Sequence, residues 1–454
     1  MNLRRFAGLA LTTSPLAASA YGATVLARHP PSRVSGDFAQ PLVVATAWGH
    51  YGMAAFAWLA AGVAASAILL AFAVARVARR PLATDRYAIL TGAAFGLSAA
   101  AAWPFVFSSD VYAYAAYGAL AERGFDPFAL APATLHDAFI DAARQQWHGA
   151  FPVDVYGPGM LAISRAAVRA AGGQDVKGAL LMLRLSADCA FLGSVVLLDV
   201  ALGDASARRR SVALAAYALN PVVLWGAAEG HNDSFVALGF AASLALARVG
   251  KRRTGALVAG LLPLFKATGA AFALGFAIEV LRQRQAHARA TVVAALAGLA
   301  IAALFGAPPL LRALGVMRAH ASYEPALSAQ ALLGPGPALS LTAAATIWAT
   351  HRLVHGDARG YAWLGIAALL GLPNVYPWYT LWIMPCVLAS TNGPAAIGLA
   401  IATIFTLVRY LPDAAGTLTG RAEHLAAAFA IAPLAIALAE FRPRAGQKKV
   451  PAST

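Results

Sequence analysis

The sequence has few charged residues and almost no cysteine. Only 12% of its 454 residues are charged, whereas soluble domains carry about 25%. Both cysteines, Cys189 and Cys386, lie in apolar stretches, which argues against a disulfide framework or a zinc site. With a hydrophobic content of 60%, this scarcity excludes a soluble enzyme, a disordered chain and a secreted disulfide scaffold. A polytopic membrane protein is the class that remains.

The basic residues are arranged as a topology signal. A net charge of +15 on a soluble protein would suggest a nucleic-acid partner. Here most basic residues form short clusters between apolar runs, the pattern of cytoplasmic loops. Seven clusters hold 22 of the 35 basic residues: Arg4–Arg5, Arg76–Arg86, Arg208–Arg210, Arg248–Arg253, Arg282–Arg289, Arg352–Arg359 and Arg442–Lys449.

Apolar runs between these clusters predict an all-α fold with about 12–14 transmembrane helices. The expected spans are 6–27, 52–75, 87–107, 178–201, 211–228, 232–249, 289–306, 336–354, 360–373, 376–391, 394–411 and 422–440, with a hairpin at 254–264 and 267–281. The first span also fits a signal peptide. Segment 158–171 is short and carries two arginines, so we expect a surface or half-inserted helix.

The chain is expected to form a single domain over 1–454, without an internal repeat. It divides into N-terminal helices (1–86), a catalytic module (87–282) and C-terminal helices (283–454). Two outer segments, 108–177 and 307–335, are long. Long ordered loops are more often functional than mere connectors.

The first outer segment begins with a carboxylate followed by tyrosines. In a helix, Asp110, Tyr114 and Tyr117 would lie on one face at i, i+4 and i+7. Such a face suits a sugar or a lipid head group. An aspartate at a helix start beside an interfacial tyrosine belt explains the pattern equally well.

Polar residues also interrupt an apolar hairpin at Glu229 and at His231–Ser234. Ionisable groups inside a membrane are expensive and indicate function. The alternative is a polar turn exposed to water.

Lysine is scarce, since the chain has five lysines against thirty arginines. Lys266 alone lies inside an apolar run, at a helix break, where its ammonium could bind phosphate as a point charge. The alternative is a lysine that snorkels to the interface. Trp378 and Tyr379 follow at a later helix end, as part of a sugar or isoprenoid site or of an ordinary aromatic belt.

Taken in order, these motifs resemble the C-type, polyprenyl-phosphate-sugar-dependent membrane glycosyltransferases. They are most like the bacterial polyprenol-phosphomannose-dependent α-1,6-mannosyltransferases. The resemblance runs from about 105 to 390 and rests on five motifs: Ser108 to Tyr114, Tyr156 to Pro158, Asn220-Pro221 with His231 to Asp233, Lys266, and Pro377 to Trp382. A single aspartate stands where many C-type enzymes have Asp-x-Asp, and Gly159 replaces the usual leucine.

The resemblance implies a GT-C-type bundle whose first extracytoplasmic loop carries surface helices. It implies an inverting transfer of a hexose, with mannose as the expected sugar, from a polyprenyl monophosphate to a glycan or glycolipid. Asp110 would be the general base and Lys266 would bind the donor phosphate. Sugar and acceptor contacts would come from Tyr112, Tyr114, Tyr156, His231, Asn232, Asp233, Trp378 and Tyr379.

The expected location is the bacterial cytoplasmic membrane, with the active site facing outward among membrane lipids. No nucleic acid is expected as a partner, no cofactor is certain, and the use of a divalent metal is left open. Two other classes remain: a transporter or flippase of a lipid-linked sugar, and an O-antigen-type polymerase or ligase. The absence of a repeat and the early position of the large outer loop argue against them.

Overall fold

The structure is a computed structural model. It describes residues 52–321 and 328–390, except 83, 102–107, 109, 131–134, 147–151, 283–287 and 373–374, together with Ser14, Pro15, Ala18, Thr403 and Thr406. Within these residues all regular structure is helical, which confirms the all-α prediction for this part. Apart from those isolated positions, the expected spans 6–27, 394–411 and 422–440 lie outside the described residues. The total of 12–14 transmembrane helices stays a prediction.

Sixteen α-helices are described. The first eight are α1 (Gly52–Arg79), α2 (Asp85–Ala101), α3 (Asp110–Glu122), α4 (Ala138–Gln146), α5 (Pro158–Ala170), α6 (Val176–Ala201), α7 (Ala207–Ala218) and α8 (Pro221–Ala228). The others are α9 (Asp233–Arg248), α10 (Arg252–Leu261), α11 (Gly269–Arg282), α12 (Ala288–Ala321), α13 (Ala329–Leu333), α14 (Pro335–Val354), α15 (Gly360–Gly371) and α16 (Thr380–Ser390). Short 3₁₀ turns follow at Leu262–Leu264 and Pro377–Tyr379.

Two described helical stretches are long and apolar enough to cross a membrane. They are Val176–Ala201 in α6 and Arg289–Pro309 in α12. The pair α7 and α8 adds a third if the two helices count as one span with a bend of 50°. These helices agree with a membrane protein.

The expected span 211–228 is divided by this bend into two helices. Pro221 has no N–H to donate and occupies the first turn of α8. The side chain of Asn220 caps that helix by accepting a hydrogen bond from the Val222 N–H at 3.0 Å. The chain therefore ends one helix and starts another inside the apolar run.

The second outer segment differs from the prediction, whereas segment 158–171 in the first agrees with it. The expected loop at 307–335 is helical as far as Ala321, because α12 continues through Pro308 and Pro309. Segment 158–171 is α5, and its 13 residues rise only about 20 Å. That length is too short for a bilayer core of about 30 Å, so α5 does not span.

Helix α6 joins two hydrophobic cores. Its N-terminal half, with Leu180 and Leu183, packs in a small core with α3, α4 and α5. Its C-terminal half, with Phe191 and Leu198, belongs to the main core of the helical bundle. The helices of the first outer segment therefore form a layer over one end of the bundle.

The other end of α6 collects basic side chains. Arg86 and Arg210 pair with Asp199, near the end of α6, and Arg248 pairs with Asp204 just beyond it. Helix α6 has 26 residues and rises about 39 Å. Basic clusters that the sequence assigns to the cytoplasm thus lie at the opposite end of α6 from α3–α5.

Candidate active site

Five chain segments meet where the α3–α5 layer joins the bundle. They are the start of α3, the turn before α5, the α8–α9 turn, the break between α10 and α11, and the 3₁₀ turn Pro377–Tyr379. These segments bring together the site residues expected from the sequence, except that Tyr112 is buried toward Arg184.

Asp110 lies in the first turn of α3. Its backbone N–H donates to Ser108 Oγ at 3.1 Å. The Tyr156 hydroxyl donates to Asp110 Oδ2 at 3.4 Å, and His231 Nδ1 lies 3.9 Å from the same oxygen. The side chain of Asp110 is 18% exposed, so part of the carboxylate remains open to a ligand.

The tyrosines of α3 face the protein interior. Tyr112, Tyr114 and Tyr117 are buried, unlike rings of an interfacial belt. The Tyr114 hydroxyl donates to Asn232 Oδ1 at 3.4 Å, and its ring meets the Tyr156 ring edge-on at 4.7 Å.

Burial raises the pKa of Tyr114 and Tyr156 well above the usual range, and the nearby charge of Asp110 raises it further. Both hydroxyls therefore stay protonated, so Tyr156 can keep donating to Asp110.

The α8–α9 turn is buried, which excludes a turn exposed to water. Glu229, His231, Asn232, Asp233 and Ser234 are each at most 3% exposed. Gly230 ends α8 with φ of +84°, a conformation that favours glycine. A Cβ there would approach Val111 Cγ2 to 3.1 Å, so the turn packs directly against α3.

Each ring nitrogen of His231 faces a carboxylate. Nδ1 faces Asp110, while Nε2 lies 3.7 Å from Glu229 Oε2. Trp225 Nε1 donates to Glu229 Oε1 at 2.7 Å. Arg184 Nε donates to the Ala228 carbonyl at 2.6 Å, which places its guanidinium beside Glu229.

Lys266 lies in the break between α10 and α11 and has two neighbours within the site. Its Nζ donates to Asp233 Oδ1 at 2.7 Å and lies 4.1 Å from the centre of the Tyr379 ring. The Lys266 side chain is 15% exposed and Asp233 is fully buried. Because it is held in this way, Lys266 does not extend freely to an interface.

The Phe265 carbonyl ties two turns to this break. The backbone N–H of Gly157 donates to it at 3.4 Å and Asn232 Nδ2 donates at 3.5 Å. A Cβ on Gly157 would lie 2.0 Å from the Leu264 carbonyl oxygen. Glycine is therefore required for the turn after Tyr156 to reach the Lys266 segment.

The 3₁₀ turn Pro377–Tyr379 closes the site from the late part of the chain. The Trp378 ring stacks on His231 with centroids 4.3 Å apart and planes 7° apart. Tyr379 faces Lys266. Trp378 is only 7% exposed, so an aromatic belt does not account for its position, while Tyr379 is half-buried and held against Lys266.

Sequence reasoning marked Glu229 only as one of the polar residues in the hairpin and assigned it no contact. It did not select Trp225, Arg184 or Asp154 as site residues. Arg184 could have been selected from the sequence, since a charged residue within the apolar run 178–201 indicates function. Asp154 Oδ1 accepts the backbone N–H of Tyr156 at 2.8 Å. Burial raises the pKa of Asp154 to about 8. Its carboxyl therefore supports the turn that presents Tyr156.

Among the described residues, no group of three or more His, Cys, Asp and Glu side chains is arranged to hold a metal ion. The use of a divalent metal stays open.

Comparison with known proteins points to one family. The family model described as alpha-(1->6)-mannopyranosyltransferase, N-terminal domain, matches residues 5–283. Alpha-(1->6)-mannopyranosyltransferase A of Mycobacterium tuberculosis is 26% identical over 351 residues, which cover 68% of this chain and 66% of the mycobacterial protein. The chain thus spans slightly less than two thirds of the length of that relative. No solved structure matches the chain.

Proposed function

Because the chain belongs to the alpha-(1->6)-mannopyranosyltransferase family, we propose that it transfers mannose from a polyprenyl monophosphate to a glycan or glycolipid. The observation that supports this proposal is the shared cluster of Asp110 and Lys266. The buried α8–α9 turn contacts both groups, through His231 and Asp233 respectively. A carboxylate and an ammonium in one site provide a base and an anion-binding group.

Asp110 is the general base of the proposed reaction. It removes the proton of the acceptor hydroxyl while that oxygen attacks the anomeric carbon of the donor. A base must lie within hydrogen-bond reach of the proton that it removes, and the partly exposed Asp110 carboxylate allows such an approach. Direct displacement inverts the anomeric carbon, so a β-linked donor gives an α-linked product.

Lys266 binds the donor phosphate and stabilises the negative charge that grows as the phosphate leaves. Its electrostatic effect is strong because the ammonium is already held in place before the reaction. Asp233 and the Tyr379 ring hold it on two sides. Tyr379 and Trp378 form the wall of the sugar site.

The remaining site residues orient the two reacting groups. Tyr156 positions the Asp110 carboxylate, and Tyr114 with Asn232 joins α3 to the α8–α9 turn. His231, Asn232 and Asp233 then orient the acceptor, and Tyr112 supports α3 from the interior.

The active site faces the outer side of the cytoplasmic membrane in this proposal. The support is the position of the site at the opposite end of α6 from Arg86 and Arg210, because basic clusters mark the cytoplasmic side. A lipid donor suits a site at the membrane surface.

A transfer assay tests the donor and the base together. Purified protein in lipid nanodiscs is given a short-chain polyprenyl-phosphomannose or, separately, a nucleotide mannose. Asp110→Asn should lower kcat by about 10²–10⁴-fold, the usual contribution of a general base. Asp137→Asn is the matched control, because Asp137 is also an outer-segment aspartate but pairs with Arg123. Its kcat should stay within about twofold.

Two results would contradict this assignment. Near-normal kcat in a folded Asp110→Asn protein would exclude Asp110 as the base. A wild type that uses only the nucleotide sugar would exclude the polyprenyl-phosphate donor.

Lys266 is tested in a way that separates stability from function. Lys266→Met leaves Asp233 as an unpaired buried carboxylate, which typically costs about 3–5 kcal/mol. Adding Asp233→Asn should recover the thermal stability but leave the activity well below that of Asp233→Asn alone, because only the double variant lacks the cation for the phosphate. A double variant with near-normal kcat would show that Lys266 serves only the ion pair.

A further inference from the structure

His231 is enclosed between two carboxylates. Its side chain is 1% exposed, and its ring nitrogens lie 3.9 Å from Asp110 Oδ2 and 3.7 Å from Glu229 Oε2. Neither nitrogen has a hydrogen-bond partner within the described part of the chain. Buried polar atoms nearly always have one, so both nitrogens call for an explanation. Stacking on Trp378 fixes the plane of the ring.

Both distances exceed hydrogen-bond length by less than 1 Å. Catalytic hydrogen bonds are often long without substrate and tighten in the substrate complex. The line from Asp110 through the imidazole to Glu229 is therefore suited to moving a proton once the site is occupied.

A hydrogen bond and a neighbouring charge hold the Glu229 carboxylate in place. Trp225 donates to Glu229 Oε1, which leaves Oε2 toward His231. The Arg184 guanidinium lies beside Glu229. A charged Glu229 accepts the imidazole proton at Nε2, and the Nδ1 lone pair then faces Asp110.

Several elements contribute charged or titratable groups around His231. They are Asp110 from α3, Glu229 from the end of α8, Arg184 from α6 beside Glu229, Tyr156 on the Asp110 carboxylate, and the Asp233–Lys266 pair at the adjoining turn. Glu229 and Asp110 are the two that face the ring nitrogens.

We propose that Glu229 and His231 form a proton relay behind Asp110, in which His231 Nδ1 accepts the proton that Asp110 takes from the acceptor hydroxyl. This inference rests on the proposed function and adds the route by which the base is reset. Glu229 and His231 act through Asp110 and are positioning residues.

The relay balances without any further reactant. The bond between the acceptor oxygen and the anomeric carbon forms as the bond from that carbon to the phosphate oxygen breaks. The phosphate leaves with the bonding electron pair. The acceptor proton passes to Asp110 Oδ2 and then to His231 Nδ1, which gives an imidazolium between two carboxylates. The proton is released when the products leave.

Kinetics over a range of pH test the relay. Glu229→Gln keeps the acceptor for the Trp225 N–H but removes the charge beside His231. We expect kcat to fall about 10–10³-fold, with the KM for polyprenyl-phosphomannose within about twofold. The acidic limb of the kcat profile should move to lower pH by about one unit, since the ring is harder to protonate without that charge.

The matched control is Asp188→Asn. Asp188 is a carboxylate near Arg184 on α6, one turn away from it. This variant should keep the acidic limb in place and kcat within about twofold. A merely structural role for Glu229 would lower kcat evenly across the pH range, and an unmoved limb in Glu229→Gln would overturn the relay.

A second measurement does not depend on activity. Nitrogen-15 spectra of histidine-labelled protein at high pH report which imidazole nitrogen carries the proton, and His231→Gln identifies the signals of His231 among the ten histidines. We expect the proton on Nε2 in the wild type and on Nδ1 in Glu229→Gln. A wild type that transfers mannose with the proton on Nδ1 would overturn the relay alone. If the wild type carries the proton on Nε2 but does not use polyprenyl-phosphomannose, the proposed function is overturned, and with it the part of the relay in that reaction.

Discussion

Polar residues between 229 and 234 show what sequence can decide at the scale of single residues. Polar residues inside an apolar hairpin mark the segment as unusual, but they do not show whether the turn is buried or exposed to water. The structure shows that the turn is buried, because the α3–α5 layer covers it and Gly230 packs against Val111.

The position of Glu229 relative to Arg184 was not predictable, since it depends on how α6 packs against α8. The sequence alone could single out Asp110 and Lys266 as candidate site residues, because each is a rare charged residue beside or within an apolar run. Their roles remain proposals.

Asp154 gives a prediction about pH. Its pKa is about 8 in the folded protein against an ordinary value of 3.8, so between these values the folded state holds a proton that the unfolded state has lost. Stability therefore falls as pH rises from about 4 to about 8, by about 1.4 kcal/mol per pH unit for one proton. Asp154→Asn removes this dependence while its side-chain carbonyl still accepts the Tyr156 N–H.

Thermal unfolding in detergent at pH 5 and pH 8 measures the effect. The variant should gain stability relative to wild type on going from pH 5 to pH 8, because only the wild type loses the contribution. Comparison of the two proteins cancels the titration of other groups. An equal difference at both pH values would mean that Asp154 is not buried as a protonated acid.

Helix breaks show what sequence can decide at the scale of elements. The helix–break–helix around Lys266 agrees with the expected hairpin, which the basic residues on both flanks indicated. Asn220-Pro221 was noticed as a motif, but its 50° bend was not expected inside an apolar run. The expected span 289–306 ends just before Pro308 and Pro309, yet α12 continues through both prolines. Proline removes an N–H donor, and membrane helices tolerate this where neighbours satisfy the freed carbonyls.

The turn after Tyr156 carries the prediction at this scale. Gly157→Ala would place a Cβ 2.0 Å from the Leu264 carbonyl oxygen, so the turn must move away from the Lys266 segment. Tyr156 would then lose its position on Asp110. Small displacements of positioning groups can cost about 10²-fold in rate, and we expect a fall of kcat of that order.

Gly336→Ala is the matched control for this change. A Cβ at Gly336 meets nothing within 4 Å, so the substitution adds the same methyl group without a clash. It should leave kcat and thermal stability unchanged within error. Normal kcat in Gly157→Ala would show that the contact with Leu264 does not position Tyr156.

At the scale of the whole molecule, the low content of charged residues identifies a membrane protein. The positions of the basic residues predict its orientation in the membrane. Basic side chains gather around Asp199 and Asp204 at one end of α6, and the candidate site lies toward the other. The sequence shows where the charged residues lie along the chain. Only the packing of α6 with α3–α5 shows that these three helices form a separate layer at the candidate site. The division at 86 and 282 remains a prediction.

Cysteine labelling tests this orientation in intact cells. Cys189 and Cys386 are first replaced by alanine, and a single cysteine is then introduced by Asp141→Cys in α4 or by Arg208→Cys in α7. Both positions are on exposed parts of their helices. A membrane-impermeant maleimide should label the first variant in spheroplasts and the second only after permeabilisation, because α4 lies in the layer over the site and Arg208 belongs to a basic cluster. The reverse pattern would place the active site in the cytoplasm, where nucleotide sugars are available, and a polyprenyl-phosphate donor would then lose its topological support.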